Sequence, residues 1–503
     1  MSQPMSSSIS PTADRPWPAS WQLFVRVFIN EGRVLLADRT LWLACGLLCA
    51  FLGYALYNGL NEIHAREPTL RDIATAEAAR EAKNLAQLGR VLAGNETPVP
   101  FSNPADPTSM GGGMGARRAV LPYRMLAPLA LGQSDMAPNY YRVTHRNKAT
   151  FLYDGEMENP WHLMSGHFDV AFVVIYLLPL LILGISYNLL SAERERGTLR
   201  MLLSQPLGIG TLLLAKVAVR TAAVLGALMF TVALVMLAMR PALLQASGAG
   251  ELAWWFGMVT AYALLWFALA ALVNAWGKPS ASNAFTLMAL WVLLVLVAPV
   301  LLNLAVSQAY PAPSRTELAT RTRLITIAGL ERYATLLGTD YEHLAKPQVL
   351  QPKDGKIEVA ARPKAGFLMS LDTDAEIDGL LAAFERQLLA QQGLIERFAL
   401  LSPAAVAHEG MSALAGTGSR RYTRFTQQVG GYHGAWKTFF EPKILDGIAM
   451  TEADLAALPR FTWNEEPPAE LRTQLAGYAL QLLLPALLLA LWAWRRLRRY
   501  PVV

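Results

Sequence analysis

The sequence predicts an all-α membrane protein: six transmembrane helices, with two large, mainly helical extracytoplasmic insertions after spans 1 and 5. Three observations carry this. The first is composition. Of 503 residues, 53% are hydrophobic and 16% charged, with a mean hydropathy of +0.28, whereas soluble domains carry about 25% charged residues. The second is spacing. Apolar runs of membrane-crossing length, about 20 residues, recur along the chain, and Thr40–Asn61, Val170–Ala192 and Thr221–Met239 contain no charge at all. The third is asymmetry: Lys and Arg gather at alternate span ends, as the positive-inside rule expects of cytoplasmic flanks. That rule also accounts for the net charge of +6, so no nucleic acid is expected as a partner.

The elements follow in order. Residues 1–20 are rich in Ser and Pro and lack a basic region followed by an apolar core, so they read as a disordered cytoplasmic tail, not a cleavable signal. Residues 21–40 read as an interfacial amphipathic helix. Trp21, Phe24, Val25, Phe28 and Leu35 share one face, and Gln22, Arg26, Asn30 and Arg33 the other. Span 1 occupies 41–61 and holds both cysteines, Cys45 and Cys49, so no disulfide framework is expected. Residues 62–168 form a first extracytoplasmic domain with a helix over Leu70–Leu92 and a Pro/Gly-rich loop. Its Gly111-Gly112-Gly113 is no phosphate loop, since the Lys-Ser/Thr ending and a preceding strand are missing.

Span 2 takes 169–190, and a charged hinge takes 191–211. Spans 3 to 5 fill 212–306, at about Val217–Met239, Leu252–Trp276 and Ala284–Val306. Residues 307–470 form a second extracytoplasmic domain. Helices are expected there over Glu317–Leu337, Asp374–Leu401 and Arg421–Leu445, with a loop and one short strand in Gln348–Lys364. Ile377, Leu380, Leu381, Phe384, Leu388, Ile395 and Phe398 recur at helical spacing. Span 6 takes 471–494, with Pro485 a position for a kink, and 495–503 is a basic cytoplasmic tail. An even number of spans puts both termini on one side. Arg495, Arg496, Arg498, Arg499, Lys278 and the hinge share that side and make it the cytoplasm.

The hinge parses as two short helices. Ser191 can cap the first, and Glu193 and Glu195 suit the positive end of a helix dipole. Gly197 breaks it. Thr198 can cap a second helix, Leu199–Ser204, which Pro206 ends. Leu199, Leu202 and Leu203 lie on one side of that helix and Arg200 on the other. From the residues alone, a docking element and a juxtamembrane loop that only fixes topology both remain open.

Ser191-Ala192-Glu193-Arg194-Glu195-Arg196-Gly197-Thr198-Leu199, with Leu203-Ser204-Gln205-Pro206, resembles the stretch after the second span of ABC-2 type permeases, subunits of ATP-binding-cassette transporters. Glu158-Asn159-Pro160, Gly166-His167-Phe168-Asp169 and Leu177-Leu178-Pro179-Leu180 resemble a subgroup with large extracytoplasmic insertions and no assigned substrate. Leu401-Ser402-Pro403 and Leu414-Ala415-Gly416-Thr417-Gly418 resemble its second insertion more weakly.

The resemblance implies a bacterial inner-membrane permease whose hinge is a coupling helix docked on a separate cytoplasmic ATPase subunit. Glu193, Glu195, Gly197, Thr198, Leu199, Leu202, Gln205 and Pro206 would carry that coupling. A second permease chain, identical or homologous, would complete the complex. ATP and Mg would bind in the partner, because this chain has no Gly-Lys-Ser/Thr loop, and no cofactor would bind here directly. A second reading is an ATP-driven mechanotransmitter or assembly scaffold. It would act on a periplasmic client protein through the outer domains, with nothing translocated.

Enzyme chemistry has little support. His64, His145, His162, His167, His343, His408 and His433 are scattered, and none forms a His-Glu-x-x-His motif. Ser165-Gly166-His167 and Ser186 lack the context of a hydrolase nucleophile. The spans lack interior acids, which secondary ion-coupled pumps usually need. Asn188, Asn274, Asn283 and Asn303 are expected to bond between helices.

Overall fold

A computed structural model describes residues 17–37, 39–99, 101–132, 138–146, 148, 168–205, 207–311, 315–333 and 350–501. Most of residues 1–20, Glu158-Asn159-Pro160, His162, Gly166-His167, His343 and Pro206 lie outside the described residues.

Among the described residues, six helices are long and apolar enough to cross a membrane: Arg39–Leu92, Val170–Glu195, Ile209–Met239, Gly248–Ala275, Ser280–Ala309 and Pro468–Leu497. They are spans 1 to 6. Span 4 is the hub, with 78% of its most apolar window buried inside the protein against 11% for span 5. Its sequence explains this, because an apolar surface all round belongs in a core. Trp255, Tyr262, Trp266 and Phe267 are all fully buried. The Tyr262 hydroxyl donates to the Ile175 carbonyl of span 2 at 2.9 Å, so its polar end is satisfied where water is excluded. Spans 2 and 5 each widen into a π-turn, Val173–Leu177 and Val292–Val297. Pro179 and Pro299 follow closely. A proline lacks an N–H and its ring crowds the preceding turn, and a locally wider turn relieves both.

Several boundaries differ from the sequence expectations. The helix that carries span 1 does not stop near residue 61. It runs as one 54-residue helix to Leu92, through Pro68, and absorbs the helix expected over Leu70–Leu92. Span 3 starts at Ile209, not Val217, and so takes Lys216 into its first turns. The first insertion also contains a two-stranded antiparallel sheet, Arg117–Val120 with Tyr140–Val143, in which Ala119 faces Tyr141. That short sheet sits within an otherwise helical fold. Its strands are four residues each and far apart in sequence, so no hairpin turn announces them.

The second insertion provides helices Arg315–Arg332, Ala361–Phe398 and Ser419–Leu445. An unanticipated fourth helix, Pro403–Ala415, starts at the Ser402 hydroxyl, which accepts from the Ala405 amide, and stops at left-handed Gly416. Its Ala404, Val406, Ala407, Met411 and Leu414 join the core of the spans. Gly410 lets it approach closely, since a Cβ there would lie 2.8 Å from the Met258 side chain of span 4. Between Gln348 and Lys364 the described residues hold isolated bridges, Lys353 to Lys356 and Lys356 to Ile448, in place of a strand.

A second core lies at the far end of span 1. Leu88 and Val91 of that helix pack with Ala119, Tyr141 and Val143 of the sheet, and with Phe367, Phe425, Trp436 and Phe440 from the second insertion. Residues of both insertions therefore share one distal body.

Candidate functional site

The hinge lies at the opposite end of the bundle. Within the Val170–Glu195 segment the long helix of span 2 finishes at Ser186, and the short helices Ser191–Glu195 and Thr198–Leu203 follow. Between them Gly197 adopts φ +73°. A Cβ at Gly197 would meet open space, so backbone conformation alone calls for glycine there.

Both expected hydroxyl caps are corrected. Gly197 occupies the cap position of the second helix, so Thr198 is its first residue and its hydroxyl donates back to the Glu193 carbonyl at 3.2 Å. Leu190 precedes the first helix, and the Ser191 hydroxyl instead meets that of Ser280 at 2.8 Å.

The second helix is amphipathic, but its apolar side faces its own bundle. Leu199 is 1% exposed and packs with Leu189, Leu190, Leu212, Leu272 and Leu497. Leu202 and Leu203 pack against the same cluster. Leu199 is thus an anchor with no surface to offer a partner. The exposed side presents Glu195, Arg196, Gly197, Arg200, Ser204, Gln205 and Met201, the last 66% exposed.

The end of span 2 would leave carbonyls without helical partners. Neighbouring side chains supply them. Arg220 Nε donates to Ile185 O at 2.8 Å, Asn274 Nδ2 to Ser186 O at 2.9 Å, and Asn283 Nδ2 to Tyr187 O at 3.3 Å. Asn274 and Asn283 thus make the interhelix bonds expected of them. The Arg194 guanidinium donates to Gly277 O across the turn between spans 4 and 5. The Glu195 carboxylate accepts from the Ser280 amide at 2.7 Å and its hydroxyl at 2.9 Å, which stabilises the start of span 5.

Lys216 is the residue the sequence reading missed. Only 3% exposed, its ammonium pairs with Glu193 and lies 3.7 Å from Glu31 of helix Trp17–Ala37. An unpaired buried charge costs several kcal/mol, so two carboxylates are needed to hold it. A lone lysine inside an apolar run, with one acid on an otherwise basic N-terminal helix, was the available clue. Leu23 and Val27 of that helix also pack on the hinge cluster.

Two histidines of the distal body, His145 and His433, are held by backbone carbonyls. Burial pushes His145 and His433 down to about 4. His145 Nε2 lies 3.2 Å from Thr108 O and His433 Nε2 2.6 Å from Arg146 O. Gly111 and Gly112 make room for the His145 ring, since Cβ atoms there would sit 2.8 and 3.0 Å from it.

Residues 358–464 match a family described as Domain of unknown function (DUF3526). The match covers helices of the distal body and Pro403–Ala415, and it excludes the hinge. No curated protein matches the chain.

Proposed function

We propose that the chain is a permease subunit of an ATP-binding-cassette transporter of the ABC-2 type. It couples ATP hydrolysis by a separate cytoplasmic ATPase subunit to export or extrusion across a bacterial inner membrane. Both termini and the hinge face the cytoplasm, and the distal body lies outside. The observation that carries this reading is the hinge itself. Its exposed edge, from Glu195 to Gln205, is backed by an apolar face fixed to spans 3, 4 and 6 through Leu199. Pressure on such an element passes into the bundle and is not lost in a loose loop. Arg196, Arg200 and Met201 would meet the ATPase, and Glu193, Thr198 and Leu199 would hold the element from behind. A second permease chain completes the complex, and ATP and Mg stay in the partner.

Co-purification with an ATPase subunit tests the reading. Arg200→Glu together with Met201→Asp is expected to abolish that association while leaving the chain folded. Intact association and unchanged ATP-dependent activity would sink it.

One observation favours the mechanotransmitter reading as an alternative. The helix of span 1 continues without a break into the distal core through Leu88 and Val91. Motion of the span is therefore delivered to the outer body whether or not anything crosses. Transport by the reconstituted complex separates the two.

A further inference from the structure

At the hinge end of the bundle the acids are already engaged. Glu31 and Glu193 face Lys216, and Glu195 holds Ser280. The arginines of the C-terminal tail are not. Arg495, Arg496, Arg498 and Arg499 are all exposed, and none forms an ion pair among the described residues.

The tail is nevertheless fixed. Ala493, Leu497 and Tyr500 are buried in the hinge cluster. The Arg499 amide donates to Arg496 O at 3.0 Å and the Tyr500 amide to Leu497 O at 3.1 Å, so the chain stays coiled past the end of span 6. Pro501 packs on Gly277, where a Cβ would lie 2.7 Å from its ring. With 493, 497 and 500 turned inward, the four arginines are splayed around the outside.

The surface just before them is ordered in the same sense. Leu488 and Leu491 are exposed, then Trp492 and Trp494, 53% and 48% exposed, then the arginines. Leucine, tryptophan and arginine in succession match hydrocarbon, headgroup level and water. Guanidinium groups donate two parallel hydrogen bonds to phosphate oxygens. Charges placed only to set topology need no anchor holding them at one depth.

We propose that this tail is a binding site for anionic phospholipid headgroups. The arginines take the headgroup phosphate and its negative charge, and the acyl chains lie along Leu488, Leu491 and Trp492. The inference requires only that the chain spans a membrane, so it stands or falls apart from the transport reading.

Native mass spectrometry of the full-length protein tests it, after exchange into mixed phosphatidylcholine and phosphatidylglycerol nanodiscs. Wild-type protein is expected to retain phosphatidylglycerol preferentially, and less so as salt rises. Each basic side chain near an anionic surface contributes about fivefold in binding, so Arg→Gln at all four positions should lower the preference at least tenfold. If that variant fails to insert, R496Q with R499Q is the comparison, with a loss of several-fold expected. Equal retention of the two lipids by wild type, or an undiminished preference in a variant that inserts, overturns the proposal.

Discussion

The two ends of the molecule are stabilised in different ways. The hinge end is leucine-rich and largely local: Leu189, Leu190, Leu199, Leu207, Leu212 and Leu213 lie within one short stretch, closed by the tail. Its inward-facing polar side chains Arg220, Asn274 and Asn283 are spent on backbone carbonyls, and Glu193 on one buried lysine. The distal body is aromatic and non-local. Tyr141 stacks on Phe425, and Trp436 Nε1 donates to Gly111 O at 3.1 Å across 325 residues of sequence. A local, leucine-lined end can be re-seated with little loss, whereas an aromatic core closed over such separations is lost as a unit.

The largest expected effect would break this contrast. Trp436→Ala opens a fully buried site in the distal core and should cost about 3–5 kcal/mol. Limited proteolysis is expected to cut the distal body while leaving the spans and hinge intact. Simultaneous loss of both ends would mean that they are one cooperative unit. At the hinge end, Lys216→Met leaves the half-buried Glu31 and Glu193 without their cation, at about 1–3 kcal/mol. Adding Glu193→Gln should recover part of that in thermal unfolding, since one orphaned charge is then removed.

Acid should separate the ends next. His145 and His433 have folded values near 4 against 6.5 in the open chain. A base depressed in this way contributes stability that is complete above about 6.5 and lost as pH falls towards 4, because the unfolded chain binds the proton first. Glu465 continues the trend. Burial opposes its ionisation, but Arg421, Trp463 and Arg124 prevail and hold it at about 2, against 4.5. Its contribution is lost only between about pH 4.5 and 2. The distal body's melting temperature is expected to fall in these two steps. His433→Asn should flatten the first, and Glu465→Gln the second. The smallest effect is Gly197→Ala, about 1 kcal/mol from the left-handed backbone alone, with Gly197→Asn costing less. If ATP-coupled activity falls far more than the melting temperature does, the turn transmits force as well as joining two helices.

The same contrast explains what could be read from sequence. Span number, the break at Gly197 and the amphipathic pattern of Leu199, Leu202 and Leu203 are local properties, so periodicity and charge reveal them. Which way that face points is tertiary, and Leu199 proved to be an inward anchor. The pairing of Lys216 with Glu31 joins residues 185 positions apart in number, and no spacing rule connects them. The strands at Arg117 and Tyr140 and the partners of Trp436 were hidden for the same reason. Pro403–Ala415 was missed because a short Ala-rich stretch interrupted by His408, Glu409 and Ser412 carries too weak a periodicity to claim a place among the spans.

The helix Arg39–Leu92 gives the molecule a moment arm. Fifty-four residues at 1.5 Å each make a rod of about 80 Å. Hydrocarbon accounts for about 30 Å of that length, so about 50 Å stands clear of the bilayer. A tilt of about 5° at its foot would carry its tip about 7 Å sideways, more than two hydrogen-bond lengths, by the geometry of a rigid rod of about 80 Å. The foot packs through Leu41 on Val219 of span 3, which also carries Lys216, and the tip is embedded in the distal core. Pro68, where the ladder of helical hydrogen bonds is interrupted, sets the point at which such a rod would yield, and so how much of a small rotation below arrives above.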